Sequence, residues 1–163
     1  MKRALAVVLA ALGVLAVALA GWLWGMRTKA PAVIDFQRRA NRRVFNPRQM
    51  RDAGSPGAYA GIVRHRGRRT GAEYETPVVP EPSDDGFVIV LPYGTRADWV
   101  RNVLAAGSAT IVHEGREHRV VRPELMAVDD APHEFSASER RNLRLFGNSQ
   151  CLVVHREPEP ARG

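Results

Sequence analysis

The chain has 163 residues, which is enough for one domain of ordinary size. Lys and Arg total 24 against 17 Asp and Glu, and the formal charge of +7 favours an anionic partner: nucleic acid, a phosphate-bearing cofactor or an acidic membrane surface. Cys151 is the only cysteine, which excludes an intrachain disulfide and a zinc site built on cysteines.

The first 26 residues predict a membrane anchor. Residues 4–24 carry no charge, and as a helix they would be roughly 31 Å long, close to the thickness of a hydrocarbon core. The flank over residues 27–51 has eight basic residues and one acid, so the positive-inside rule keeps it in the cytoplasm. We therefore expect a single-pass N-terminal anchor over residues 1–26 in the cell membrane, with the remaining domain facing the cytoplasm.

A cleaved signal peptide is the alternative interpretation of the same segment. Lys2 and Arg3 form a basic start, and residues 18–20 resemble a small-residue cleavage site. The apolar run continues past that site, which favours the retained anchor.

Residues 27–56 predict a basic juxtamembrane helical segment. From Asp35 onward, apolar residues recur every four positions with arginines between them: Phe36, Ala40 and Val44. This amphipathic helix would either lie on anionic membrane lipid or present a solvated face while packing on the domain. Asn46 and Pro47 predict the start of a short second helix that ends near Gly54.

Residues 57–156 predict one mainly β domain with flanking helices. Strands are expected over residues 59–64, 73–79, 87–91, 109–113, 118–121 and 150–155. One helix is expected over residues 95–106, capped by Thr95, and another from the capping box of Ser136 and Glu139 to about Phe146. Only the connection through the first helix suits a parallel crossover, so the sheet should be mostly antiparallel and close into a small barrel. Residues 157–163 predict a disordered tail.

Missing motifs argue against several standard chemistries. No G-x-G-x-x-G follows a strand, and the sequence has no Walker A loop and no G-x-S-x-G elbow. The histidines show no i,i+4 pairing that would suit a metal, so no metal site is expected. The basic residues concentrate beside the anchor rather than among aromatic residues, which argues against a nucleic-acid partner.

The stretch HRGRRTGAEYETPV, residues 65–78, predicts an anion-binding turn. Gly67 and Gly71 flank three potential ligands: Arg68, Arg69 and Thr70. Backbone N–H groups, a hydroxyl and two guanidinium groups can therefore converge on one anion. The alternative is a solvated basic hairpin.

The stretch LPYGTRADWVRNVLAAG, residues 91–107, predicts a second anion site. A buried strand ends there, Gly94 lets the backbone come close, and a helix is expected to begin at Thr95. The free N–H groups of its first turn favour an anion, with Arg96 beside them. Ordinary N-capping is the alternative, but two such sites flanking one strand indicate a ligand lying across the sheet.

These two stretches, with LRLFGNSQCLVV near the C-terminus, resemble the deazaflavin (coenzyme F420)-dependent nitroreductase family of split β-barrel oxidoreductases. The resemblance covers most of residues 57–154 and is closest to small membrane-anchored members. It implies an α+β fold with an FMN-binding-like split β-barrel, preceded by a transmembrane helix. It also implies hydride transfer from reduced coenzyme F420 to a lipophilic electron acceptor such as a quinone, enone or nitro compound. A homodimer is possible.

The resemblance implies a set of cofactor-binding residues but no assigned catalytic residue. Ligands of the cofactor's phosphodiester and acidic tail would be Arg68, Arg69, Thr70 and Gly71, joined by Tyr93, Gly94, Thr95 and Arg96. Neighbours of the deazaflavin ring would be Thr76, Pro77 and Val78, and supports of the pocket would be Trp99 and Asn102. The candidate proton donors are Tyr59, Tyr74 and Tyr93.

Two positions depart from the family pattern. Relatives often have two adjacent glycines where this chain has Gly94 and Thr95, and a proline shortly before the helix tryptophan. FMN is therefore kept as an alternative cofactor, and a non-catalytic split-barrel protein carrying FMN, haem or a lipid as an alternative function.

Overall fold

The computed structural model of the protein describes residues 2–40 and 50–158. Its helices are α1 Lys2–Arg27, α2 Pro31–Ala40, α3 Asp98–Ala106 and α4 Ala137–Leu145, with a 3-10 turn at Val128–Asp130. Its strands are β1 Gly61–Arg66, β2 Glu73–Val78, β3 Pro80–Pro82, β4 Gly86–Val90, β5 Ser108–His113, β6 Arg116–Ala127 and β7 Gln150–Arg156.

The seven strands form one antiparallel sheet that curls into a split barrel. They pair in the order β2-β1-β5-β6-β7-β4-β3, and each neighbouring pair is antiparallel. The two edge strands, β2 and β3, are separated along the chain by Val79 alone. Since Cα atoms two residues apart are about 7 Å apart at most, the edges must lie close together. The predicted α+β split barrel is therefore confirmed.

Strand β4 shows why the apolar run of residues 87–91 is continuous. Phe87 and Ile89 pack into one core cluster with Val100 and Val103 of α3. Val88 points the other way, into a second cluster that includes Phe135 before α4. Because both faces of this strand are covered, no polar position interrupts it.

The connection from β4 to β5 through α3 is not the parallel crossover expected from the sequence. The chain passes from β4 to β5 across two intervening strands, β7 and β6. Three successive antiparallel pairings leave β4 and β5 antiparallel to one another. A connection long enough to contain a helix therefore joins two antiparallel strands here, and its length did not predict their relative direction.

Two strand predictions also differ from the structure. Strand β3 was not predicted; it contains Pro80 and Pro82, and proline is tolerated at the edge of a sheet, where its missing N–H needs no partner. Strand β6 runs on to Ala127, past a register shift between Val121 and Glu124 that bends it around the barrel.

The N-terminal helix is long and apolar enough to cross a membrane. Within residues 3–27, the most apolar 18-residue stretch has a mean hydropathy of 2.6 and is uncovered by the rest of the chain. Length and apolarity of this kind are shared by membrane spans and signal sequences. α2 is amphipathic as expected, although it begins at Pro31 rather than at Asp35.

The segment that follows α2 is described only in part. Residues 50–52 are helical, but the predicted helix start at Asn46 and Pro47, and Val44 of the amphipathic stripe, lie outside the described residues. At the other end of the chain, the Glu157 carboxylate lies 2.8 Å from Arg119 Nε.

Candidate functional site

A cavity of about 1090 Å³ lies between the β1–β2 hairpin, the first half of α3 and the α4 side of the barrel. It brings together most residues that the sequence assigned to cofactor binding. Those lining it are Arg68, Arg69, Thr70, Thr76, Pro77, Val78, Tyr93, Trp99 and Asn102. Four do not line it: Gly71, Gly94, Thr95 and Arg96.

The expected helix start at Thr95 is wrong. α3 begins at Asp98, its N-cap is Ala97, and no side chain caps it. Gly94 instead closes a turn by donating its N–H to the Leu91 carbonyl oxygen. The carboxylate of Asp98 occupies the first turn, where it offsets the positive end of the helix dipole. Arg96 is exposed, so the amino end of α3 is a weaker anion site than the sequence suggested.

The basic end of the cavity is built around Arg68. Its Nη1 lies 2.9 Å from Asn102 Oδ1, and its backbone N–H donates to the same oxygen at 3.2 Å. Its Nη2 lies 3.3 Å from Asp98 Oδ1, and its side chain is 24% exposed. One guanidinium group is therefore fixed in direction by two residues of α3.

Arg69 is placed differently from its neighbours in the turn. It lines the cavity, and among residues 2–40 and 50–158 no carboxylate forms a salt bridge with it. Arg66, by contrast, pairs with Glu73 across β1 and β2 at 3.1 Å, does not line the cavity and is largely exposed. The turn thus separates its arginines into one facing outward and two at the cavity.

His65 belongs to the cavity wall and was not among the predicted site residues. It lies on the inward face of β1 and is 7% exposed. Its ring stacks on Tyr74 with centroids 5.8 Å apart, and burial lowers the pKa of the imidazole. The sequence did show a histidine at an inward position of an alternating strand, which could have indicated a site residue. Its hydrogen-bond partner Asn102 is 37 residues away, and no local pattern connects the two.

The opposite wall of the cavity combines large apolar residues with three polar ones, Glu139, Asn142 and Asn148. It includes Phe135, Leu143 and Phe146 from α4 and its flanks. All three tyrosines of the chain line the cavity as well: Tyr59, Tyr74 and Tyr93. The Tyr74 hydroxyl lies 3.4 Å from Thr70 Oγ1, at the basic end. The cavity therefore has arginines at one end and, at the other, an end with three large apolar side chains among polar ones.

The end of α1 is docked against the rim of this cavity. Lys29 Nζ donates to the carbonyl oxygen of Pro92 at 2.9 Å, to that of Phe146 at 3.2 Å and to Asn148 Oδ1 at 2.7 Å. Trp22 of α1 packs edge-on against Phe146, with ring centroids 6.2 Å apart. Because Pro92, Phe146 and Asn148 all line the cavity, one lysine ties the N-terminal helix to its rim.

The fold and the cavity define a class of protein: a split-barrel protein with a large cleft that has arginines at one end. No cluster of His, Cys, Asp and Glu that could hold a metal ion occurs within the described ranges. A family model described as F420H(2)-dependent quinone reductase matches residues 37–153, well over half of the chain. The chain therefore belongs to the F420H(2)-dependent quinone reductase family.

The chain is similar to solved structures of related description. One, described as "F420 Reductase", is 10% identical with a TM-score of 0.42, over 64% of this chain and 90% of that chain. Another, described as "Structure of F420-H2 Dependent Reductase (FDR-A)", is 10% identical with a TM-score of 0.39, over 60% of this chain and 94% of that chain. No curated protein matches the chain.

The predicted family of F420-dependent reductases is confirmed by the family match. The family description supports F420-dependent reductase activity and names coenzyme F420, whereas the alternative cofactor FMN is not supported by it.

Proposed function

We propose that this protein is a membrane-anchored reductase that uses reduced coenzyme F420 to convert a lipophilic quinone into a quinol. The observation that carries the proposal is the cavity, with Arg68 and Arg69 at one end and the apolar side chains of Phe135, Leu143 and Phe146 at the other. The family description supports both the coenzyme and a quinone-type acceptor.

The residues at the basic end suit the acidic part of the coenzyme. Arg68 is held by Asn102, and Arg69 has no salt-bridge partner within the described ranges. Guanidinium groups of this kind bind phosphate oxygens with charge-assisted hydrogen bonds. A cavity of about 1090 Å³ is also at the upper limit of roughly 1,000 Å³ for single-ligand pockets, which leaves space for a coenzyme and part of an acceptor.

Reduced coenzyme F420, when bound, supplies a hydride. The protein's part is to bind, orient and exclude water. We propose that Arg68, Arg69 and Thr70 hold the phosphodiester, and that Thr76, Pro77 and Val78 lie beside the ring system. Quinone reduction takes up one hydride and one proton to give a quinol, and the proton comes either from solvent or from a cavity hydroxyl. The Tyr74 hydroxyl lies near Thr70, at the end of the cavity assigned to the phosphodiester. Tyr59 and Tyr93 are therefore the better candidates for a proton donor to the quinone.

The docked N-terminal helix supports a lipid-soluble acceptor. Phe146 contacts Trp22 of α1 and also lines the cavity. If α1 spans the membrane, the apolar end of the cavity lies close to the membrane surface, where a quinone is concentrated. The basic flank of residues 27–51 favours a domain in the cytoplasm by the positive-inside rule, where it would meet a soluble coenzyme.

The full-length protein in detergent tests this function directly. The recovery of oxidised F420 fluorescence is followed with a short-chain quinone, an enone and a nitro compound as alternative acceptors. We expect turnover with the quinone, lowered roughly tenfold or more in kcat/KM by Arg69→Ala and unchanged by the matched surface variant Arg66→Ala. Coenzyme binding without turnover of any quinone would refute the acceptor class. A different ligand co-purifying in the cavity, with no coenzyme binding, would favour a non-catalytic carrier of FMN, haem or a lipid.

A further inference from the structure

His65 occupies the centre of a hydrogen-bond chain that runs behind the basic end of the cavity. Its Nδ1 lies 3.2 Å from Asn102 Nδ2, and its Nε2 lies 3.2 Å from Thr76 Oγ1. Asn102 is 6% exposed, so its amide must find its partners within the protein. The chain links a residue beside the predicted ring site, Thr76, to the arginine at the predicted phosphate site, Arg68.

The direction of each hydrogen bond follows from the donors present. Asn102 Oδ1 already accepts from the Arg68 backbone N–H and from Arg68 Nη1. The amide nitrogen of Asn102 therefore faces His65, and an amide nitrogen can only donate. His65 Nδ1 must accept, which places the ring proton on Nε2, where it is donated to Thr76 Oγ1. The ring is then neutral, in agreement with the effect of burial on its pKa.

Rotation of the Asn102 amide by 180° would break this arrangement. Its NH₂ group would then face the N–H groups of Arg68, and two donors would oppose each other. His65 is the acceptor that fixes the amide in the orientation in which Arg68 is held. Without it, the buried amide nitrogen of Asn102 would lack this acceptor, and the amide would be held only by its bonds from Arg68, so that the Arg68 guanidinium and backbone N–H would be less firmly positioned.

We propose that His65 is a positioning residue for coenzyme binding, acting through the Asn102 amide to present the Arg68 guanidinium and backbone N–H to the anionic part of the ligand. This rests on the proposed function and adds to it a residue that touches no predicted phosphate ligand directly. An ordinary buried core residue would only fill space, whereas the role proposed for His65 requires a hydrogen-bond acceptor at the Nδ1 position.

Two substitutions separate the acceptor from the bulk of the ring. In His65→Asn, the Oδ1 atom is bonded to Cγ as Nδ1 is, so it can still accept from Asn102. In His65→Phe, the ring can still stack on Tyr74 but offers no acceptor. The matched control is His118→Phe, which changes a half-buried histidine of β6 that packs on Phe87 and does not line the cavity.

The experiment is a fluorescence titration of each full-length variant in detergent with coenzyme F420, together with its melting temperature. We expect His65→Phe to raise Kd roughly five- to tenfold, as for a lost orienting hydrogen bond, and His65→Asn and His118→Phe to stay within about twofold of wild type. In ¹⁵N-histidine spectra of the wild-type protein, His65 should show a protonated Nε2 and an unprotonated Nδ1.

The outcomes distinguish the inference from the function on which it rests. A Kd left unchanged by His65→Phe, a failure of His65→Asn to restore binding in a protein that melts like wild type, or a proton on Nδ1 would each overturn the role of His65. Failure of the wild-type protein to bind the coenzyme would overturn the proposed function itself, and the inference with it.

Discussion

Replacing Lys29 by Met tests whether the N-terminal helix is held on the rim of the cavity. Met keeps most of the aliphatic stem but removes the ammonium group and with it the three hydrogen bonds to Pro92, Phe146 and Asn148. The substitution should therefore release the end of α1 from the rim without disturbing the barrel core.

The expected size of the effect follows from two opposing contributions. Hydrogen bonds from a charged donor are worth about 1.5–3 kcal/mol each in isolation, but these three share one ammonium group. Burial lowers the pKa of Lys29, so part of their stabilisation offsets the cost of desolvating its charge. A net loss of about 2–3 kcal/mol in the free energy of docking is expected, which raises the undocked fraction roughly 30- to 150-fold.

Amide hydrogen exchange reports this local opening. The N–H groups of Phe146, Gly147 and Asn148 bond to carbonyl oxygens of the last turn of α4, and the Arg27 carbonyl group packs against Gly147. Their exchange in detergent should accelerate by more than about tenfold in Lys29→Met. Thr28→Val is the matched control, because the Thr28 hydroxyl donates to the Trp24 carbonyl oxygen of α1 and, among the described residues, makes no hydrogen bond to the cavity rim. Exchange unchanged in Lys29→Met would show that the lysine does not hold the helix, and would refute the reasoning.

Three further predictions concern the barrel and α4. Burial raises the pKa of the Cys151 thiol to about 11, so a thiol reagent at pH 8 should label it only after the protein unfolds. The stability contributed by the neutral thiol is complete below its ordinary pKa and is lost as the pH rises towards about 11. Gly86→Ala would place a methyl group 1.8 Å from the Val154 carbonyl oxygen, so it should lower the free energy of unfolding by about 3 kcal/mol or more. The control Gly21→Ala adds a methyl group in open space and should not lower it. Equal melting temperatures for the two variants would contradict this prediction. Ser136→Ala removes the N-cap that accepts from the Glu139 N–H, and a loss of about 1 kcal/mol is expected in denaturant unfolding.

Local patterns predicted the elements whose signals are local. The capping box of Ser136 and Glu139 is formed as expected, with both of its hydrogen bonds. Continuous and alternating apolar runs located six of the seven strands, because most inward positions of a sheet are apolar whatever their partners are. Strand β3 was missed because only its position at the edge of the sheet makes its prolines acceptable.

The site was predictable where it depends on the turn sequence and not where it depends on distant contacts. Arg68, Arg69 and Thr70 reach the cavity from one turn, which glycine spacing indicated. Thr95 and Asp98 are both typical of helix starts, and their spacing alone did not show which begins α3. The contact between His65 and Asn102 joins β1 to α3, and no local pattern encodes a pairing across 37 residues.

We propose above that the arginines at the β1–β2 turn bind the acidic part of coenzyme F420. The most direct measurement is the Kd for the coenzyme of full-length wild type, Arg69→Ala, Arg96→Ala and Arg66→Ala. Loss of a charged hydrogen bond should raise Kd roughly 10- to 150-fold in Arg69→Ala. Arg96, outside the cavity, and Arg66, paired with Glu73, should change it little. Equal affinities for all four proteins, or no binding by wild type, would contradict coenzyme binding by the arginines of this turn.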